Sequence, residues 1–261
     1  MIRQFVSFAC EGATLCGTLD QAESTTGLLI ISGGNEIRSG PWSSQSLLAM
    51  RVAAEGFPVL RFDRRGVGDS DGPNGGFRNS APDIAAAIAT FRSQIPALKR
   101  VIAYGNCDGA SALMLAGGAG CDALVLSNPW TIDEVAGQAA IAPPPEMVRA
   151  HYARRLKSPR ALLRLLRGQV SLRQLFASLR DAGRPAAAPS TLAQELASRL
   201  ATFSGPVTIL LAERDRTAQT FVTDWDKADT RLQTCPNASH SFVEPQARTW
   251  LQGQLLEALR G

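Results

Sequence analysis

The chain has 261 residues, 45% hydrophobic and 19% charged, and its 27 Lys+Arg against 23 Asp+Glu leave a formal net charge of +4. That balance is ordinary for a globular protein, and the length suits one large α/β domain with an insertion. No apolar run approaches the ~20 residues of a transmembrane helix, and Met1-Ile2-Arg3-Gln4-Phe5-Val6 lacks the charged-then-apolar pattern of a secretory signal.

Residues 3–10 and 14–19 alternate in the manner of two antiparallel strands, with Glu11-Gly12 at the turn. Residues 27–32 are a continuous apolar run, as expected of a strand buried on both faces. A helix is expected over 43–55, a strand over 57–62 and a second helix over 80–95. Strands follow at 100–104 and 123–127. Residues 206–212 form another buried strand, which ends in the polar turn Glu213-Arg214-Asp215. Residues 246–260 read as a closing amphipathic helix. Such alternation predicts a mostly parallel, doubly wound sheet of about eight strands with helices on both faces. The pattern breaks between Asn128 and Gly205: Pro143-Pro144-Pro145 opens a stretch of helical character without a convincing strand. The expected organisation is therefore a core of residues 1–128 and 205–261 with a helical cap or lid at 129–204.

The most informative segment is Gly105-Asn106-Cys107-Asp108-Gly109, between the strand at 100–104 and a small-residue helical stretch at 110–116. Glycines two before and two after a nucleophile permit a sharp strand-to-helix turn that projects the reactive atom outward. The usual occupant is serine; here it is Cys107. The chain has only two histidines, and His240 lies in a loop near the C-terminus, after Asp215. The order nucleophile, acid, histidine is that of α/β-hydrolases. His240 would accept and return the thiol proton, Asp215 would orient the imidazole, and the helix start after Cys107 favours a thiolate. Glu213 is a rival acid two residues before Asp215. His151 is read as structural or solvated. Cys10, Cys16, Cys121 and Cys235 lack the flanking glycines and are read as core filler. Five cysteines without CxxC or Cys/His zinc spacing imply reduced thiols, a cytoplasmic setting and neither metal nor cofactor.

An oxyanion hole needs two backbone donors. One is the N–H of Asp108; the other comes from Ser32-Gly33-Gly34-Asn35, with Gly34 at the donor position and Asn35 as alternative. A carboxylate on Asp108 beside a thiolate is electrostatically odd. Asp63-Arg64-Arg65-Gly66-Val67-Gly68-Asp69-Ser70 matches a D-x-R-G-x-G-x-S turn that supports such sites. Neither a P-loop nor a dinucleotide fingerprint is present. The cap span is lopsided in charge, with ten Arg and Lys from Arg149 to Arg184 against Asp181 alone. A basic rim draws anionic ligands: an acidic acyl carrier protein, coenzyme A or phosphopantetheine, a phosphorylated lipid or an anionic glycan. A solvated arginine face is the plainer alternative. Nucleic acid is not expected, since no interleaved aromatics or binding motif accompany the charge.

Taken together, these features resemble α/β-hydrolases over essentially the whole chain. Three stretches resemble the exosortase A system-associated hydrolase type 1 family: Gly33-Gly34-Asn35-Glu36-Ile37-Arg38-Ser39-Gly40, the loop from Leu60 to Ser70, and Gly105-Asn106-Cys107-Asp108-Gly109-Ala110-Ser111. The resemblance implies a cytoplasmic acyl hydrolase or acyltransferase with a cysteine nucleophile, acting on a small or carrier-bound ester or thioester in exopolysaccharide-associated biosynthesis. A lactone hydrolase of the dienelactone-hydrolase type and a non-catalytic ligand-binding homologue are the alternatives.

Overall fold

A computed structural model describes residues 2–133 and 190–261. Eight strands form one sheet: β1 (Arg3–Cys10), β2 (Ala13–Asp20), β3 (Thr26–Ile31), β4 (Val59–Phe62), β5 (Arg100–Asn106), β6 (Ala123–Ser127), β7 (Val207–Ala212) and β8 (Leu232–Cys235). Their order is β1-β2-β4-β3-β5-β6-β7-β8. The β1–β2 and β2–β4 pairings are antiparallel and the other five are parallel. The strand expected from residue 57 begins two residues later, just after Pro58, whose ring nitrogen has no proton for the ladder.

The helices are α1 (Ser44–Ala54), α2 (Ala81–Gln94), α3 (Asp108–Leu115), α4 (Thr191–Leu200), α5 (Arg216–Asp224) and α6 (Pro245–Arg260). They divide between the two sheet faces. Leu48, Ala49 and Val52 of α1 join Leu251, Leu255 and Leu259 of α6 over Leu28 and Ile30 of β3. On the other face α2 to α5 supply Ile84, Phe91, Leu113, Leu196 and Phe221 over Leu29 and Ile31. Adjacent residues of β3 thus enter opposite cores, which explains why this strand reads as an unbroken apolar run. Among the described residues no helix is long and apolar enough to cross a membrane.

Most of the span assigned to a cap, with Pro143-Pro144-Pro145, His151 and the basic run Arg149 to Arg184, lies outside the described residues. Its described end behaves as core. Ser190 caps α4 by accepting the Ala193 N–H at 3.0 Å, and Leu192, Leu196 and Leu200 are buried beside α3. Leu196→Ala is therefore expected to lower global stability by about 2–5 kcal/mol, the cost of emptying a well-packed core position. A urea titration should show one transition of unchanged slope at a lower midpoint; a helix belonging to a separate cap would leave that midpoint in place.

Candidate active site

The candidate residues gather at the carboxyl ends of the parallel strands. Cys107 follows β5, Asp215 follows β7, His240 follows β8 and Gly34 follows β3.

The turn at Cys107 is as tight as its glycines suggest. A Cβ on Gly105 would lie 2.6 Å from the Gly109 backbone, and one on Gly109 would lie 2.7 Å from the Ile31 carbonyl oxygen. With β5, α3 and β3 in such close approach, Cys107 adopts φ 58° and ψ −127°. A non-glycine residue there is strained, and the packing around it enforces the strain. The remaining cysteines are buried. Burial pushes the Cys10 thiol up to about 11 and the Cys121 thiol to about 12, so both stay protonated at neutral pH. Cys107 alone is partly open to solvent.

His240 meets both partners. Its Nδ1 lies 3.0 Å from Asp215 Oδ2, and the imidazole is also hydrogen-bonded to the Cys107 side chain. Burial opposes charge on the ring, but the hydrogen bonds to Asp215 and Cys107 and their negative charge outweigh it, raising the pKa to about 10. Asp215 is 8% exposed and also caps α5, accepting the Ala218 N–H at 3.0 Å. Glu213, the rival acid, accepts the Asn237 N–H at 2.8 Å instead. The loop bearing His240 is held by Glu244, which accepts from both the N–H and the hydroxyl of Ser239 at 3.1 Å.

Asn128 is a positioning residue that sequence reasoning did not single out. It is fully buried, and its Nδ2 donates to the His240 carbonyl and to Asn106 Oδ1, each at 3.0 Å. Its Oδ1 accepts the Ala212 N–H at 2.8 Å. One amide thus ties the ends of β5, β6 and β7 to the histidine loop. The only signal in the sequence is an Asn at a strand end, a residue type that tolerates the φ of 45° found here. Ser111 of the Cys-Asp-Gly-Ala-Ser run donates to the Trp130 carbonyl at 2.8 Å, anchoring the chain beyond β6.

The loop after β3 accounts for the odd placement of Asp108. The Gly34 N–H donates to Asp108 Oδ1, so the expected oxyanion donor is engaged by a carboxylate. Arg64 Nη2 donates to the Gly34 carbonyl and stands 3.7 Å from Asp108 Oδ1. The Asp108 N–H heads α3, where no intrahelical acceptor exists. Asn35, the alternative donor, has its side chain turned to Asn74 Nδ2 at 2.8 Å. The D-x-R-G-x-G-x-S turn acts as scaffold: buried Asp63 accepts from the Arg38 N–H, the Arg38 guanidinium and the Asp69 N–H. Among the described residues no group of three or more His, Cys, Asp or Glu is arranged to hold a metal.

A raised imidazole pKa stabilises the fold only while the ring is protonated. That contribution is complete below pH 6.5 and is lost as pH rises through about 10. The destabilisation caused by His240→Ala should follow the same course in denaturant titrations, largest on the acid side and vanishing above pH 10. Asp215→Asn should shift the imidazole NMR titration downward; an unmoved midpoint would assign the raised pKa to another group.

Residues 28–251 match the alpha/beta hydrolase family. The structure is similar to the Pyrococcus furiosus esterase Pf2001, with 14% identity and a TM-score of 0.63 over 99% of this chain and 90% of that one. It is also similar to the alpha/beta hydrolase GrgF from Penicillium sp. sh18, with 18% identity and a TM-score of 0.63 over 98% and 97%. A thioesterase domain from the curacin biosynthetic pathway shows 15% identity and a TM-score of 0.55 over 98% and 100%. No curated protein sequence matches the chain. The chain belongs to the alpha/beta hydrolase family and has its fold, an eight-stranded, mostly parallel sheet flanked by helices.

Proposed function

We propose that this alpha/beta hydrolase transfers an acyl group from an ester or thioester through a covalent intermediate on Cys107. The observation that carries the reading is a strained, solvent-reachable thiol hydrogen-bonded to a histidine that a buried aspartate holds. The Cys107 sulfur attacks the acyl carbonyl carbon, and the carbon–sulfur bond forms as the oxygen gains charge. On collapse, the bond to the leaving thiol or alcohol breaks and His240 supplies its proton. Water or an acceptor alcohol or amine then attacks the acyl-enzyme, His240 takes the incoming proton, and the thiolate leaves. Asp215 holds the ring and balances its charge throughout.

The Gly34 and Asp108 N–H groups form the oxyanion hole. Substrate must displace the Asp108 carboxylate from Gly34, and Arg64 stands ready to take it. A thiol nucleophile suits thioester exchange, because attacking and leaving atoms are both sulfur. The likeness to an esterase and a thioesterase domain supports acyl chemistry on this fold. The basic stretch from Arg149 to Arg184 offers charge complementary to an acidic acyl carrier protein or coenzyme A. Together with the family resemblance of the elbow, this supports a cytoplasmic step in exopolysaccharide- or exosortase-associated biosynthesis.

The test is intact mass after incubation with a panel of activated acyl esters and thioesters. An adduct is expected on the wild type and none on Cys107→Ala, whose turnover should fall by about 10⁴-fold or more. Faster acyl loss with an added alcohol or amine marks transfer; no effect marks hydrolysis. No adduct from any donor overturns the reading, and preferential turnover of small lactones redirects it to lactone hydrolysis. Asp108→Ala frees the Gly34 N–H and should tighten binding of a trifluoromethyl ketone by about tenfold, the weight of one charge-assisted hydrogen bond. Weaker binding would make Asp108 a support of the hole instead of its competitor.

A further inference from the structure

Six large apolar side chains are exposed among the described residues: Ile2, Phe5, Ile37, Trp42, Leu47 and Met50. They come from three segments, the start of β1, the loop after β3 and the start of α1, and contacts join these segments into one surface. Arg3, next to Ile2, donates to the hydroxyl of Ser46 at 3.1 Å and to its carbonyl at 3.2 Å, which ties β1 to α1 beside Leu47. The Arg38 guanidinium lies 5.6 Å from the centre of the Phe5 ring, which ties the loop to β1. Ile37 lines a cavity with Arg3 and Ser46, and Trp42 lines another with Leu47. The exposed apolar groups are therefore neighbours, whereas scattered single ones would need no explanation.

Helix α1 shows why this surface is unusual. Its eleven residues carry one charge, Arg51. Gln45, Leu48, Ala49, Val52 and Ala53 are buried against the sheet. Leu47, Met50, Arg51 and Ala54 recur at i, i+3, i+4 and i+7 on the opposite side. A helix that is apolar on both sides is ordinarily covered on both. The turn entering α1 adds Trp42, which is 90% exposed. Trp42 and Ser43 both have left-handed backbones, with φ of 54° and 57°, a conformation that bulky side chains rarely adopt. A strained turn thus holds outward an aromatic ring that packs on little of the fold, and strain of this kind collects where a surface binds.

The charges around the patch narrow the partner. Arg51 and Arg248 line the same cavity as Trp42 and form no ion pair with a described carboxylate. Arg3 pairs with Asp20 and Arg38 with Asp63, and both acids are buried. The exposed acids beside the patch are Glu36 and Asp69, the latter held by Arg38. The outward side of α1 carries none. A second copy docked across α1 would bring the same unpaired arginines onto one interface with no acid on that helix face to meet them.

We propose that this surface docks the protein onto a membrane leaflet containing anionic lipid. Trp42, Leu47 and Met50 enter the boundary between headgroups and acyl chains, and Arg51 and Arg248 pair with lipid phosphates. Tryptophan suits that boundary, with an apolar body and one N–H donor, and an arginine stem lies along apolar surface while its charged head stays in water. The contact lies on the membrane without crossing it, and it does not depend on the acyl-transfer reading.

The test is flotation of the intact chain with vesicles of equimolar phosphatidylglycerol and phosphatidylcholine, and with vesicles of phosphatidylcholine alone. The basic stretch from Arg149 to Arg184 is present in every variant, so a difference between variants reports the patch. Wild type should float with the anionic vesicles and show a blue shift of tryptophan emission. The shift should vanish in Trp42→Ala, because the other three tryptophans are partly buried. A Trp42→Ala/Leu47→Ser/Met50→Ser protein should keep the wild-type melting temperature and bind at least tenfold more weakly. Arg51→Gln and Arg248→Gln should each weaken binding to the anionic vesicles about fivefold and leave binding to phosphatidylcholine unchanged. Undiminished flotation of the triple variant would assign lipid binding to the basic stretch and overturn the proposal, as would equal binding of wild type to both vesicles or to neither. Shielding of Trp42 from acrylamide before vesicles are added would also overturn it. Ultracentrifugation would then give the surface to a second copy, if Trp42→Ala dissociates a dimer, or to another segment of the same chain, if the protein is a monomer.

Discussion

The candidate site depends on how closely β5, α3 and β3 approach one another at Cys107. Backbone atoms of Gly105 and Gly109 occupy the space in which a side chain would sit, and Gly109 rests against the Ile31 carbonyl. That contact fixes where α3 starts, sends the Cys107 backbone into its left-handed conformation and leaves the Asp108 N–H pointing free of any helical partner. It also sets the distance between the elbow and the loop after β3. A Cβ on Gly33 would fall 2.6 Å from the Asn106 carbonyl oxygen, so the loop after β3 and the turn at Cys107 are in contact there as well. Loss of one hydrogen atom's worth of clearance at any of these glycines would move three elements.

Around this contact the protein uses buried polar groups where packing alone would allow drift. Asp63 gathers the Arg38 backbone, the Arg38 guanidinium and the turn at Asp69. Arg64 reaches from the same turn to the Gly34 carbonyl and to Ser80 at 3.1 Å. Asn128 performs the corresponding task at the histidine side. Each such group is satisfied by several partners, so its removal leaves more than one donor or acceptor stranded in a dry region, at about 1–3 kcal/mol apiece. Rigidity at the strand ends is what makes a strained thiol and its histidine meet without substrate present.

The sheet and its flanking helices were legible because their signals are local. Apolar runs of five or six residues marked β3, β6 and β7, and the glycine spacing at 105–109 marked the elbow. Asp215 and His240 followed from their order after the nucleophile. What escaped was set by contacts between distant segments. Asn128 looks like any polar residue before a proline until β7 and the histidine loop are brought beside it. The capture of Gly34 by Asp108 joins residues 74 positions apart. Helix α5 is short, and its start is the turn that was read for its acid alone. Helix α4 has a strong apolar stripe, but no local feature distinguishes a helix that packs on α3 from one that covers a cleft.

Asp215 joins two tasks that are usually separable. The oxygen that holds the His240 ring also closes the first turn of α5 by receiving the Ala218 amide. Its loss to a residue without an acceptor would therefore fray a helix as well as release an imidazole. Asparagine satisfies the helix end nearly as well as aspartate but carries no charge. A lineage of this protein that gave up chemistry for ligand capture would meet far less resistance drifting to asparagine here than to alanine, so the amino acid at this one position separates lost chemistry from lost architecture.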